Sequence, residues 1–207
     1  MPQRRNRRVQ LADAAIEVLA REGGRGLTHR AVDREAGFPE GTTKNYHASR
    51  DSLYVAVARR MADQHTAAMR RLREGMPDGV SAADVRTLYV AMLHRMSTSA
   101  RSQFLALFEL QLEGVRNAQV RAALGEMTLA GVDSAVTLHA AVGEPISARG
   151  GGLLEAGMMG VAMSMLSLPD DVVGRIGFGD PESLGRSLLG MAAEAEPADG
   201  LLRGQAS

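Results

Sequence analysis

Apolar residues recur every three or four positions along most of the chain, and strict apolar–polar alternation is missing. That period belongs to helices rather than strands. Ala12, Ala15, Ile16, Leu19 and Ala20 form one stripe and predict a first helix over about 7–21, with Asp13, Glu17 and Arg21 as i,i+4 neighbours outside it. Leu53, Val57, Met61, Ala68 and Leu72 predict a long helix over 49–73, stopped by the breaker cluster Gly75-Met76-Pro77-Asp78-Gly79. Such a helix is a rod of roughly 37 Å. Val85, Leu88, Tyr89, Met92 and Met96 predict a helix over 81–98, with Ser81 and Asp84 as a capping-box variant. Leu105, Phe108, Leu112 and Val115 predict another over 103–115. Val120, Leu124, Met127, Val132, Val136 and Leu138 predict one over 118–142, broken by Gly143-Glu144-Pro145. The stretch 153–168 is apolar nearly all round, with Glu155 its one charge, and wants burial on more than one face. Leu184, Leu188, Leu189 and Met191 predict a last helix over 182–193. Residues 149–152 (Arg-Gly-Gly-Gly) and 169–181 are expected as loops, and 196–207 as a frayed tail.

Between the first two long helices the pattern shortens. Thr28 is an N-cap, Ala31, Val32 and Ala36 face inward, and Gly37 stops the helix where a positive φ is wanted. Phe38 anchors the turn, and Pro39 suits the first position of a second short helix reaching His47. Two turns of helix cannot stand alone, so neighbours must hold them. Ser49 caps the long helix with Asp51 in its first turn. Two short helices about a glycine turn form a helix-turn-helix, whose second helix is offered to the DNA major groove.

The run AGFPEGTTKNYHASRDSLY resembles the signature of the tetracycline-repressor (TetR) family of transcriptional regulators, Ala-Gly-Val-Ser-x-Gly-Thr-Leu-Tyr-x-Tyr-Phe-x-x-Lys-x-x-Leu. Ala36, Gly37, Gly41, Thr42, Tyr46 and Leu53 match, and Arg50 stands where the family usually has Lys. Pro39, Thr43, Lys44 and His47 depart from it. The motif covers the first quarter of the chain. Carried over by position, the resemblance implies DNA contacts from Thr28, His29 and Arg30 at the start of the first short helix. Arg30 can offer its fork to guanine. On the second short helix, Gly41 allows close approach, and Thr42 and Tyr46 offer hydroxyls to phosphates. Lys44 takes either a guanine or a phosphate, and Asn45 either adenine or the phosphate side. Glu40 is tolerable beside DNA if it accepts from cytosine N4. Arg50 is implied as a phosphate clamp at the start of the long helix. For Tyr46 the competing reading is packing against the first helix. His47 is read as a core position.

Composition adds an asymmetry to this picture. The 207 residues carry no net charge, yet residues 1–60 hold 12 basic against 7 acidic side chains and the remainder 12 against 17. A basic first third on an acidic remainder fits one nucleic-acid-facing segment. Arg4, Arg5, Arg7 and Arg8 are either a DNA-seeking arm or a solvated tail. Cysteine is absent, which removes disulfides, thiolate metal sites and thiol nucleophiles. No apolar run is long enough for a membrane span, and Asp13 and Glu17 spoil a signal-peptide core. A cytoplasmic setting is expected.

Candidate catalysts do not converge. His29, His47, His65, His94 and His139 show no metalloprotease spacing, and Asp63 and His65 face different sides of their helix. Glu109 and Glu113 share a face, as solvated carboxylates commonly do. No catalytic residue, metal or cofactor is expected. Tyr89, Met92, Met96, Phe104, Phe108, Met127 and Met158 are either an apolar ligand pocket or ordinary core, methionine suiting varied ligands. The resemblance implies a ligand cavity somewhere here. It also implies that the last two helices pair with their copies, through Leu154, Met158, Val161, Met165, Leu184 and Leu188, the competing reading being ordinary core.

The expectation is an all-α chain. Residues 1–54 form a helix-turn-helix DNA-binding domain whose last helix continues to about 74 as a connector. Residues 55–195 form a helical effector-binding and dimerisation domain. The function implied is a homodimeric repressor, released from a near-palindromic double-stranded DNA operator by a small apolar effector. An all-α protein-interaction module and, behind it, a helical enzyme are the rivals. The first should show no salt-sensitive DNA binding.

Overall fold

The computed structural model describes residues 2–76 and 79–195. They form the helices α1 (Pro2–Gly26), α2 (His29–Glu35), α3 (Thr42–Tyr46), α4 (Arg50–Glu74), α5 (Ala82–Ser97), α6 (Arg101–Gly114), α7 (Ala118–Ala141), α8 (Ala148–Ser167), α9 (Asp170–Arg175) and α10 (Pro181–Ala193), and no strand among the described residues. The all-α expectation stands. The tail expected from Glu196 lies outside the described residues. None of the described helices is long and apolar enough to cross a membrane.

The chain divides into two compact units, residues 1–65 with 100–127 and residues 66–99 with 128–207. The sequence pattern places the boundary at residue 54. The compact division differs because α6 packs along α1, so a helix from the middle of the chain joins the N-terminal ones. In this first unit Leu11, Ala15, Val18 and Leu19 of α1, Leu53 and Val57 of α4, and Ala106 and Leu110 of α6 are almost wholly removed from water. The Arg60 guanidinium grips the Asp13 carboxylate through Nε (2.7 Å) and Nη2 (3.0 Å), and Gln64 adds a third donor at 3.1 Å. These groups are partly exposed, so the network fixes geometry more than it adds stability.

Two sequence expectations shift in the first unit. The first helix begins at Pro2 rather than Arg7, so the arginine arm is helical from its start. It also runs on past the expected end at residue 21 to Gly26, broken only by Gly23 (φ 66°, ψ −175°). Leu112 and Val115, expected inside the α6 stripe, are instead exposed at 63% and 72%.

The second unit packs α10 against α8 and α5. Asp180 caps α10 by accepting from Glu182 (3.1 Å) and Ser183 (3.3 Å), with Pro181 at the first helical position. The Ser81–Asp84 capping box forms as expected. The run at 149–152 is not a loop but the first turn of α8, capped by Ser147, whose hydroxyl accepts from Gly150 N–H at 3.0 Å. Glycine serves close approach here. A Cβ at Gly150 would overlap the Ala192 carbonyl oxygen of α10, and one at Gly151 would stand 3.2 Å from Val132. The expected loop 169–181 likewise contains a short helix, α9, with Asp170 and Asp171 in its first turn.

Three histidines make folding pH-dependent. The Nε2 atoms of His47, His65 and His139 are buried without a partner among the described residues. Burial lowers all three below the ordinary 6.5; for His47, Arg8 and His29 add to it. Above that value the folded and unfolded chains are both neutral at these rings. Below it the unfolded chain takes up protons that the folded chain resists, so stability is lost as pH falls from about 6.5 toward the lowered values. Thermal midpoints should therefore drop between about pH 7.5 and about pH 5.5. A constant midpoint across that window would show that the rings protonate in place.

Candidate nucleic-acid interface

The helix-turn-helix is assembled by local caps. Thr28 accepts from Ala31 N–H at 3.2 Å and starts α2. The helix ends as expected at Gly37 (φ 66°), with Gly37 N–H donating to Arg34 and Phe38 N–H to Asp33, the paired return bonds of a glycine-terminated helix. The second helix departs from expectation. Pro39 and Glu40 lie in the turn, and α3 begins only at Thr42, behind Gly41 at φ 91°. A helix of five residues led by glycine has no side-chain cap of its own. Asp33 of α2 supplies one. Its Oδ2 accepts from Gly41 N–H (2.7 Å) and its Oδ1 from Thr43 N–H (2.7 Å) and the Thr43 hydroxyl (2.5 Å). Asp33 is 2% exposed and Thr43 0%. Thr43 thus replaces the leucine of the family pattern with a polar partner for a buried acid. Sequence reasoning passed over Asp33; the signal was an acid beside the inward Val32, together with threonine where leucine is usual.

The other expected contact residues fall into two groups. Lys44 and Asn45 are exposed on α3 and make no hydrogen bond among the described residues. Thr42 donates its hydroxyl to the Pro39 carbonyl (2.7 Å), and His29 Nε2 lies 2.6 Å from the His47 carbonyl oxygen, so both brace the motif. Arg30 and Glu40 meet each other, Nε to Oε1 at 2.8 Å, in a strongly exposed pair. Tyr46 is half-buried with the Arg8 guanidinium 5.9 Å over its ring, and Arg7 stands 5.3 Å over Phe38. Arg7 and Arg8 of α1 therefore pack on the motif. His47 is buried, as read.

Arg50 stays exposed and folds back along the surface toward the end of α1. It donates to the Gly24 carbonyl and to the Tyr54 hydroxyl (3.3 Å), while Glu109 of α6 accepts from Gly24 N–H at 3.1 Å. Burial pushes the Tyr54 hydroxyl's pKa up, and Arg50 opposes that shift. Glu109 and Glu113 do not act as a pair: Glu113 bonds Arg116 at 3.1 Å.

Residues 80–193, more than half of the chain, match the family model for the tetracyclin repressor-like C-terminal domain. The chain belongs to the TetR family of transcriptional regulators. Its fold is similar to a transcriptional regulator of Streptomyces coelicolor (TM-score 0.67, 16% identity, 92% of this chain and 99% of that one). It is also similar to a TetR-family regulator from Rhodococcus (TM-score 0.66, 24% identity, 91% and 100%). A second TetR-family member from Streptomyces coelicolor is 26% identical over 90% and 98%, with a TM-score of 0.60. No curated protein matches the sequence.

In this TetR-family chain the expected pocket residues do not all fall in one unit. Tyr89, Met92, Met96 and Met158 belong to the second, and Phe104, Phe108 and Met127 to the first. Tyr89, Met96, Phe108 and Met158 are buried, and the others half-buried. Within the second unit the Tyr89 ring lies 5.8 Å from His139, and burial pushes the Tyr89 hydroxyl and the Glu155 carboxyl upward in pKa. Glu155 has no hydrogen bond or ion pair among the described residues and leans on Gly131. The first unit carries an open groove of about 500 Å³ lined by Gln10, Asp13, Glu17, Glu35, Arg60 and Gln64, polar and unlike the apolar cavity expected.

The expected interface residues lie on two helices that pack against each other within the chain. Leu154, Met158, Val161, Leu184 and Leu188 are each at most 9% exposed within the single chain, because α8 and α10 bury them. Met165 is half-buried. The same helices leave Ala156, Gly160 and Met163 of α8 and Ser187, Gly190 and Met191 of α10 exposed, along with the charged Arg149, Glu182 and Arg186.

Proposed function

We propose that this regulator binds a near-palindromic DNA operator as a homodimer, represses from it, and is released by a small, largely apolar effector in the cytoplasm. The observation that carries the DNA reading is α3: a short helix braced from behind, presenting Lys44 and Asn45 to solvent without a hydrogen bond among the described residues. The open face of small residues and methionines on α8 and α10 supports pairing of two copies. A dimer would set its two α3 helices about 34 Å apart, or a multiple of that, to meet successive major grooves. Effector recognition is assigned to the second unit, where Tyr89, His139 and Glu155 place polar groups among apolar helices. A relative of 24% identity, the multidrug binding protein EbrR, is complexed with ethidium, which agrees with a cavity for such a molecule.

Release follows from coupling between the two sites. The Glu109 carboxylate ties α6 to the end of α1 beside Arg50. A displacement of α6 would loosen that junction and the setting of the reading helices. A coupling of about 1–3 kcal/mol lowers operator affinity roughly 5- to 150-fold.

The test is binding to a labelled duplex from upstream of the protein's own gene, across a salt series with random competitor, beside light scattering of the free protein. The expected result is a dimer footprinting a near-palindrome, with affinity falling steeply with salt. Equal affinity for random duplex would remove the operator reading for that promoter. A monomeric mass with tight binding would remove the dimer.

A further inference from the structure

We infer that Asp33 sets the sequence specificity of this regulator, by fixing the roll of α3 through its carboxylate without touching DNA; the inference rests on the DNA-binding reading above. A five-residue helix has almost no stability of its own, so its orientation is whatever its neighbours impose. Both carboxylate oxygens of Asp33 are committed to α3, at backbone positions two residues apart, and Thr43 adds its hydroxyl to the same Oδ1. Two acceptors held against donors on different sides of a turn constrain translation and rotation together, which a single bond would not. Lys44 and Asn45 follow Thr43 directly, so the geometry fixed at Thr43 reaches them across one and two peptide units. Base readout tolerates little misplacement, since bidentate contacts require a site held within about 0.5 Å and 10–20°.

The chemistry of this cap has a second consequence. Free N–H groups at a helix start ordinarily attract phosphate. Here the Gly41 and Thr43 N–H groups are occupied by a protein carboxylate in a buried site, and α3 is left to meet DNA through its side chains. An acid placed behind the reading helix also opposes general attraction to a polyanion. Asp33 therefore gives up sequence-independent affinity in exchange for orientation, and its removal should separate the two.

The test starts from a random-sequence duplex library. The wild-type protein is used to enrich a motif, and its affinity for that duplex is divided by its affinity for random duplex. Asp33→Asn is nearly isosteric but turns an NH2 group toward a donor. It is expected to flatten the selected motif and lower the ratio roughly tenfold or more, about the effect of a mismatched base pair. Random-duplex affinity should hold or rise with helicity retained, while the thermal midpoint falls because a buried donor is left facing an NH2 group. Thr43→Val should lose part of the ratio, and Thr43→Ser, which keeps the hydroxyl, should recover it.

If Asp33→Asn does not fold, Asp33→Ala with Thr43→Leu removes the buried acid and the hydroxyl together, and leaves the N–H groups at positions 41 and 43 without their acceptor. That variant should show the same fallen ratio. An unchanged motif and ratio would overturn the inference. So would a parallel fall in operator and random binding, which marks a cap that only stabilises. A wild-type protein that enriches no motif would overturn the DNA-binding reading itself, and this inference with it.

Discussion

Replacing Gly150 by alanine is expected to destabilise the protein by about 1–3 kcal/mol, the usual cost of forcing a methyl into a filled space. The atom in the way is the Ala192 carbonyl oxygen, which is backbone and cannot rotate aside. To admit the methyl, α8 must move away from α10, and the bond its cap Ser147 donates to the Ala195 carbonyl (3.0 Å) must stretch. For a chain of this size the thermal midpoint should fall by roughly 2–4 °C per kcal/mol. Protein concentration must be held fixed, because association of copies shifts the midpoint as well. The matched control is Gly152→Ala, two residues along the same helix, where a Cβ meets nothing within 4 Å. It should be neutral or stabilising by up to about 1 kcal/mol, the propensity difference between the two residues in a helix. Equal effects from both substitutions would mean that helix propensity, not the contact with Ala192, decides the outcome at Gly150.

That contrast also explains one limit of the sequence pattern. Three glycines in a row carry the composition of a loop, and only the presence of Ala192 and Val132 reveals them as a helix start under close contact. The information is tertiary and has no local trace. Where the signal was local, it was legible. The Thr28 cap, the Gly37 stop, the Ser81–Asp84 box and the helical period of α4 and α5 all follow from neighbours within one or two turns.

The site divides in the same way. Its motif was legible because spacing alone defines a helix-turn-helix. The start of α3 was not, because Pro39 suits a first helical position while the bonds from Asp33 place the start at Thr42. On α8 and α10 the period marked apolar residues but not which of two apolar faces the chain itself covers. Leu154, Met158 and Leu188 went inward, leaving Met163 and Met191 at 43% and 40% exposure.

Lys44→Ala with Asn45→Ala is expected to abolish operator recognition while leaving the fold intact. Both side chains are exposed, so their loss opens no cavity and strands no buried partner. Each good base contact contributes about 1–3 kcal/mol of discrimination, and a two-fold protein makes it twice. Losing both residues should therefore cost at least a hundredfold in operator affinity, by the roughly tenfold that attends each 1.4 kcal/mol. The single variant Lys44→Ala separates two roles for the one lysine in the chain. If Lys44 holds a phosphate, the variant weakens binding to every sequence alike, and the slope of log affinity against log salt falls by about one per subunit. If Lys44 holds a guanine, affinity for the operator falls and affinity for random duplex changes far less. A double variant that still footprints the operator would place base reading elsewhere. Arg30 would then be the first residue to test, since DNA could draw it from its exposed pairing with Glu40.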